Sequence, residues 1–112
     1  MHEWHLTRRL LQLVEDEAKA LRLTRISRVR LRGALNAAEA EILRINFLAV
    51  ARGTVAQGAA LEIESCAVPG RCPACGCAAP LRDHHQRCPR CGGEPLVALG
   101  DELLRIVELT AV

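Results

Sequence analysis

Aromatic residues are almost missing. Trp4 and Phe47 are the only two, and tyrosine is absent. The core is therefore aliphatic, and the chain has little to stack on nucleic-acid bases. Lysine is nearly missing too: of 15 basic residues, Lys19 is the one lysine. The 13 acidic residues leave a formal net charge of +2, too small to imply a polyanionic partner, so nucleic acid is not expected. No apolar run approaches the roughly 20 residues that cross a bilayer, and membrane insertion is not expected either. No basic region followed by an apolar one opens the chain at Met1-His2-Glu3, which predicts a reducing, cytoplasmic setting.

What is present is cysteine, six of them, four in two matching pentapeptides: Cys72-Pro73-Ala74-Cys75-Gly76 and Cys88-Pro89-Arg90-Cys91-Gly92. Each Pro-x turn points two thiolates the same way, and the glycine lets backbone N–H groups approach the sulfurs. The intervening residues 76–87 give a spacing read as a zinc site rather than a disulfide framework. Cys72, Cys75, Cys88 and Cys91 fill all four tetrahedral positions, so the site is expected to be structural, with Zn(II) as its metal. A thiol–disulfide oxidoreductase is the rival reading, but such a motif normally occurs once, beside a βαβ unit. Cys66 and Cys77 are left over. Cys77 is close enough in sequence to Cys75 to compete as a ligand, whereas Cys66 reads as a small buried hydrophobe. His84 and His85 fall inside the loop between the pairs, where an exposed histidine pair is favoured over two further ligands.

Around this cluster the chain reads as α+β. Residues from about Glu3 to Leu23 carry the apolar stripe Leu10, Val14, Ala18 and Leu21, widened by Leu6, Leu11 and Leu13, which predicts an amphipathic helix. Residues 26–32 alternate, with Val29 and Leu31 on one face and Arg28, Arg30 and Arg32 on the other, as in a half-solvated strand. Asn36 followed by Glu39 has the form of a capping box that opens a helix running to about Ala51, burying Leu43, Phe47 and Val50, with Gly53 as its stop. Leu61 and Ile63 alternate with Glu62 and Glu64 in a second strand, and residues 103–111 form a terminal strand. Pro69-Gly70 marks a boundary. Beyond it, to about Pro95, large apolar residues are too few for a core, so metal must supply the order. The expected architecture is a small mixed sheet with two helices, formed by residues 1–68 and 96–112, interrupted by a four-cysteine zinc-ribbon-like domain at residues 69–95.

Met1-His2-Glu3 is the second place with visible chemistry. A free terminal amine, the His2 amide and the His2 imidazole close two fused chelate rings, and such nitrogen donors suit Ni(II) or Cu(II). The competing reading is a solvated terminus. His5 lies three residues beyond His2, one helical turn away, so both rings can face one ion.

Together these pieces resemble the HypA/HybF family, the nickel metallochaperones of hydrogenase maturation. The resemblance rests on Met1-His2-Glu3, Gly33-Ala34-Leu35, Phe47 with Arg52-Gly53-Thr54, the run from Gly58 to Ile63, the paired cysteines and Gly100-Asp101-Glu102-Leu103. It implies a carrier rather than an enzyme, with Ni(II) as cargo and Zn(II) as structural metal. Nickel would be anchored by His2, with Glu3 as ligand or orienting carboxylate. His5 and Glu39 are further candidates, although the capping box already accounts for Glu39. The implied partners are a nickel-handling GTPase and the hydrogenase large subunit, with the chain itself a monomer or weak dimer. The alternative is a zinc-ribbon module that binds nucleic acid or protein. Its arginines favour it, and the low net charge and missing aromatics oppose it.

Overall fold

The computed structural model describes residues 2–83, 86–99 and 104–112, with side chains from Trp4 onward; His84 and His85 and the Gly100-Asp101-Glu102-Leu103 motif lie outside these. Helix α1 spans His2–Ala20 and buries Leu6, Leu10, Val14 and Ala18, successive members of one four-residue ridge. It ends earlier than its apolar pattern suggests. Arg22 takes a left-handed φ of 57°, Leu23 N–H donates to Ala18 O at 2.8 Å and Arg22 N–H to Lys19 O at 3.2 Å. That is a Schellman closure with arginine where glycine is usual. Leu21, expected on the buried stripe, is consequently 56% exposed.

Strand β1, Ile26–Gly33, buries Ile26, Val29 and Leu31 and exposes the three arginines, as its alternation predicts. Helix α2, Ala37–Val50, opens on the expected box: Glu39 N–H donates to Asn36 Oδ1 at 2.8 Å, and Asn36 N–H to Glu39 Oε1 at 3.0 Å. Strand β2, Ala60–Ser65, runs parallel to β1, with Val29 opposite Leu61 and Leu31 opposite Ile63. Parallel neighbours need a crossover, and α2 supplies it. The terminal strand, called β6 in chain order, is Leu104–Ala111 and pairs antiparallel on the other side of β1. The resulting mixed sheet has the order β2-β1-β6, with β1 in the centre. Both helices contribute to its core, which centres on Phe47, Leu10, Leu43 and Leu31. The expected fold class is thus the observed one.

A second sheet holds the cysteine module. Strands β3 (Val68–Arg71), β4 (Ala78–Leu81) and β5 (Val97–Ala98) pair antiparallel in the order β4-β3-β5. Gly70 is required in the middle strand, because a Cβ there would stand 2.9 Å from Leu81 Cβ. Leu96, Val97 and Ala98, which their aliphatic character places with the first region, here join the cysteine module: Leu96 and Ala98 pack in the cluster that holds Cys72 and Cys88, and Val97 and Ala98 pair with β3. The pairing Gly70 to Ala98 and Arg71 to Val97 draws them in. The module's core is small: Cys72, Cys88, Leu81 and Leu96, plus Ala34 from the turn between β1 and α2.

Candidate metal centre

The two Cys-Pro-x-Cys-Gly segments fold alike because they satisfy the same bonds. In the first, Gly76 N–H donates to Cys72 O at 2.9 Å and Cys75 N–H points at Cys72 Sγ from 3.4 Å. In the second, Gly92 N–H donates to Cys88 O at 2.9 Å and Cys91 N–H points at Cys88 Sγ from 3.5 Å. Both glycines sit at positive φ, 76° and 65°, where other residues pay a steric penalty. Each turn therefore presents two sulfurs on one side with amides aimed at the first. Strands β3 and β4 flank the first turn, and the second is closed by Cys88 N–H to Glu94 O at 2.9 Å.

The turns face each other. Cys72 Sγ stands 3.6 Å from Cys91 Sγ, Cys75 Sγ stands 3.6 Å from Cys88 Sγ, and all four sulfurs lie within 4.8 Å of one another. A disulfide needs about 2.05 Å, so these are free thiols held at another spacing. A regular tetrahedron with a metal–sulfur length of about 2.3 Å has edges of about 3.8 Å, which is the size of zinc in four thiolates. Cys72 and Cys88 are buried at 1% and 2% exposure, while Cys75 and Cys91 are open to solvent. The electrostatics follow the amides. The Cys91 N–H pulls the Cys88 thiol down to about 6, against the opposing effect of burial. The Cys75 N–H lowers Cys72 in the same way. At Cys75 the Cys77 N–H also favours the thiolate, but burial and the three neighbouring sulfurs outweigh it and push this thiol up to about 12. Metal must displace that proton.

Among the described residues this is the one group of three or more potential ligands close enough to hold an ion. Cys77 is not in it: its thiol turns to Ala78 O at 3.6 Å, and its carbonyl accepts from Cys72 N–H. Cys66 is half-buried at the end of β2 rather than in a core. It borders a cavity of about 490 Å³ with Arg32, Val68 and Arg105. His5 is exposed on α1, and Glu39 is only 7% exposed, its Oε1 occupied by the cap. The side chains of His2 and Glu3 lie outside the described residues; the backbone of α1 begins at His2. The arginine face of β1 is not a free cationic stripe. Arg28 and Arg30 lie 3.8 Å and 3.6 Å from Glu62, Arg30 also lies 3.7 Å from Glu108, and Arg32 lies 3.2 Å from Glu64.

Two residues with no sequence signal matter to the module. Gln86 accepts from Arg82 N–H at 2.7 Å and donates to Pro80 O at 2.7 Å, and its own carbonyl accepts from Leu96 N–H at 2.8 Å. It ties β4, the loop and Leu96 together. Ala34, fully buried against Cys72 and Cys88, is the other.

A mixed three-stranded sheet with two helices, joined to a knuckled module whose four thiols are spaced to hold one metal ion, is the architecture of a small metal-binding protein. Comparison with known proteins narrows this. Residues 1–111 match the family model described as "Hydrogenase/urease nickel incorporation, metallochaperone, hypA". "Hydrogenase maturation factor HypA" of Methylocella silvestris is 41% identical over 110 residues, covering 97% of both chains. The protein of the same name from Azotobacter chroococcum mcd 1 is 43% identical over 113 residues, again covering 97% of both. The fold is that of the solution structure of the Ni metallochaperone HypA from Helicobacter pylori, at a TM-score of 0.63 and 19% identity over 98% of this chain and 97% of that one. The chain belongs to the HypA family.

Proposed function

We propose that this chain binds Ni(II) at its N-terminus and delivers it for the maturation of a [NiFe]-hydrogenase, while Cys72, Cys75, Cys88 and Cys91 hold one structural Zn(II). The observation that carries the reading is the family match over residues 1–111, which takes in both Met1-His2-Glu3 and the four clustered cysteines. The geometry supports a division of labour. Four protein sulfurs complete a tetrahedral shell and leave no position for cargo. Cargo therefore goes elsewhere, to donors that can be reached and released.

The start of α1 suits that role. The first amides of a helix have no intrahelical acceptor, so the His2 N–H is not committed to the helix. Loss of its proton gives an amide nitrogen that chelates together with the terminal amine and the imidazole. Glu3 supplies a carboxylate, and His5, one turn along an exposed face, supplies a second imidazole. Glu39 is left to its cap. The working modules are then the cargo module, centred on the β2-β1-β6 sheet, and the zinc module. The zinc module is taken to extend a little beyond 69–95, a reading supported by the strand pairing of Val68, Val97 and Ala98 and by the packing of Leu96 with Cys72 and Cys88. The recipients are the hydrogenase large subunit and a nickel-handling GTPase.

The test is transfer. The zinc-loaded protein, charged with radioactive nickel, is mixed with nickel-free hydrogenase large subunit, and label is followed by gel filtration. Label moves from the wild type, and His2→Ala neither retains nor passes it. Stable retention without transfer, in the presence of the GTPase, would contradict a delivery role.

A further inference from the structure

The charge pattern of the first sheet breaks where that sheet meets the cysteine module. On the outer face of β2-β1-β6, side chains opposite one another form rows. In one row Arg30 stands between Glu62 at 3.6 Å and Glu108 at 3.7 Å, an acid on each side. The next row toward the module is Glu64-Arg32-Arg105, with an arginine where the second acid stood. Like charges directly opposite one another destabilise a sheet. Glu64 engages Arg32 through Nε at 3.3 Å and Nη2 at 3.2 Å. Arg105 is exposed and has no hydrogen bond or ion pair among the described residues. One acid thus faces two guanidinium groups, and donors on Arg32 and all those of Arg105 are left for another acceptor.

Both arginines border the cavity of about 490 Å³ that Cys66 also lines. That volume falls within the roughly 300–1,000 Å³ of small-molecule sites. Its walls come from both modules. Arg32, Leu104 and Arg105 belong to the first sheet, Val68 and Pro69 to β3 of the second, and Cys66 to the connection between β2 and β3. A carboxylate offers two oxygens, which a single guanidinium fork fills. A phosphate offers three or more oxygens and up to two charges, enough for two forks.

We propose that the seam between the two modules is a phosphate site, with the phosphate held by Arg32 and Arg105. The ligand is a small phosphate compound, and any apolar part of it lies against Val68, Pro69 and Leu104. Because the walls belong to both modules, a ligand there ties one to the other, wherever nickel binds. The Arg32 side chain is 49% exposed, so salt screens the attraction and binding weakens as ionic strength rises.

Amide resonances of the full-length, zinc-loaded protein test this at constant ionic strength, with inorganic phosphate, adenosine monophosphate and adenosine as probes. Both phosphate probes give saturable shifts in residues 66–68 and 104–106, and adenosine gives none. Tighter binding of the nucleotide assigns the site to a phosphate ester; equal binding assigns it to the free ion. Arg105→Ala weakens binding by at least ~10-fold, as loss of a charge-assisted fork does. Arg105→Glu restores the acid-arginine-acid row and abolishes binding, with zinc content and far-ultraviolet circular dichroism unchanged. Alkylation of Cys66 by iodoacetamide, mapped by mass spectrometry, slows when the wild type holds ligand and does not slow in Arg105→Glu. The lack of a saturable shift with either phosphate probe overturns the proposal. Binding that survives Arg105→Glu overturns it too, because the phosphate then sits elsewhere, as does equal binding of adenosine.

Discussion

Ala34 and Leu35 are neighbours in the chain and belong to different cores. Ala34 is fully buried with Cys72, Cys88, Leu81 and Leu96 of the cysteine module, and Leu35 is buried with Leu43 and Phe47 of the sheet and helices. One residue later, Asn36 caps α2. A single three-residue turn thus touches the packing around two metal-site sulfurs, the larger core and the start of a helix.

Because Ala34 is fully buried in the cysteine module's core, Ala34→Phe should push the module away from the turn. The expected cost is about 1–3 kcal/mol, as for overpacking elsewhere. Urea denaturation of the zinc-loaded protein reads it, and loss of zinc at lower urea than in the wild type locates it.

Asn36→Ala removes the acceptor for Glu39 N–H and should cost about 1 kcal/mol. Glu39→Gln keeps a side chain that can return the Asn36 bond while losing the charge. Nickel titration calorimetry of Glu39→Gln therefore gives wild-type affinity if Glu39 is a cap and nothing more. A marked loss would make it a ligand.

Replacing Cys72 or Cys91 by serine removes one of four sulfurs, and the small core around them cannot hold the module alone. Zinc retention should be lost, with broadened or shifted amide resonances for residues 68–98 and little change in those of α1. Full zinc occupancy in either variant would count against the four-thiolate site.

Proton release on metal uptake depends on pH in a defined direction. In the metal-free protein Cys88, at about 6, and Cys72, also lowered, are stabilised as thiolates by backbone amides. Their contribution to stability is complete above the ordinary thiol value of 9.0 and is lost as pH falls through the folded values, near 6 for Cys88. Cys75, at about 12, favours its protonated form and acts oppositely above 9.0. Zinc uptake at about pH 8 should therefore release fewer than four protons, and more at about pH 5, where Cys88 at least is protonated and binding is weaker. Calorimetry in buffers of different ionisation enthalpy measures the count.

Much of this is legible in the sequence alone. Period-2 and period-3.6 patterns placed β1, β2 and α2, because each element buries one face of an aliphatic core. Asn36 and Glu39 marked the start of α2 because orphan amides demand a cap. The cysteine spacing gave the four-sulfur cluster because a knuckle is a local structure. The end of α1 was less legible: Leu21 continues the apolar period, but Arg22 takes a left-handed conformation that nothing in an arginine announces. Composition places Val97 and Ala98 with the first region, whereas strand pairing with residues 71 and 70, far away in sequence, decides where they sit. The docking of Ala34 is likewise a tertiary fact, since alanine carries no signal of what it will touch.

His5 is the residue most particular to the proposed cargo site. His5→Ala should lower nickel affinity less than His2→Ala and should alter the nickel absorption spectrum. If spectrum and affinity both match the wild type, His5 is a bystander on the exposed face of α1.

The central claim, that cargo and structural metal occupy separate sites with cargo held at the terminus, is met most directly by elemental analysis of untagged protein loaded with excess nickel and then desalted. The account predicts one zinc and one nickel per chain for the wild type, and one zinc with no nickel for His2→Ala. Nickel retained by His2→Ala, or zinc displaced one for one by nickel in the wild type, would contradict it.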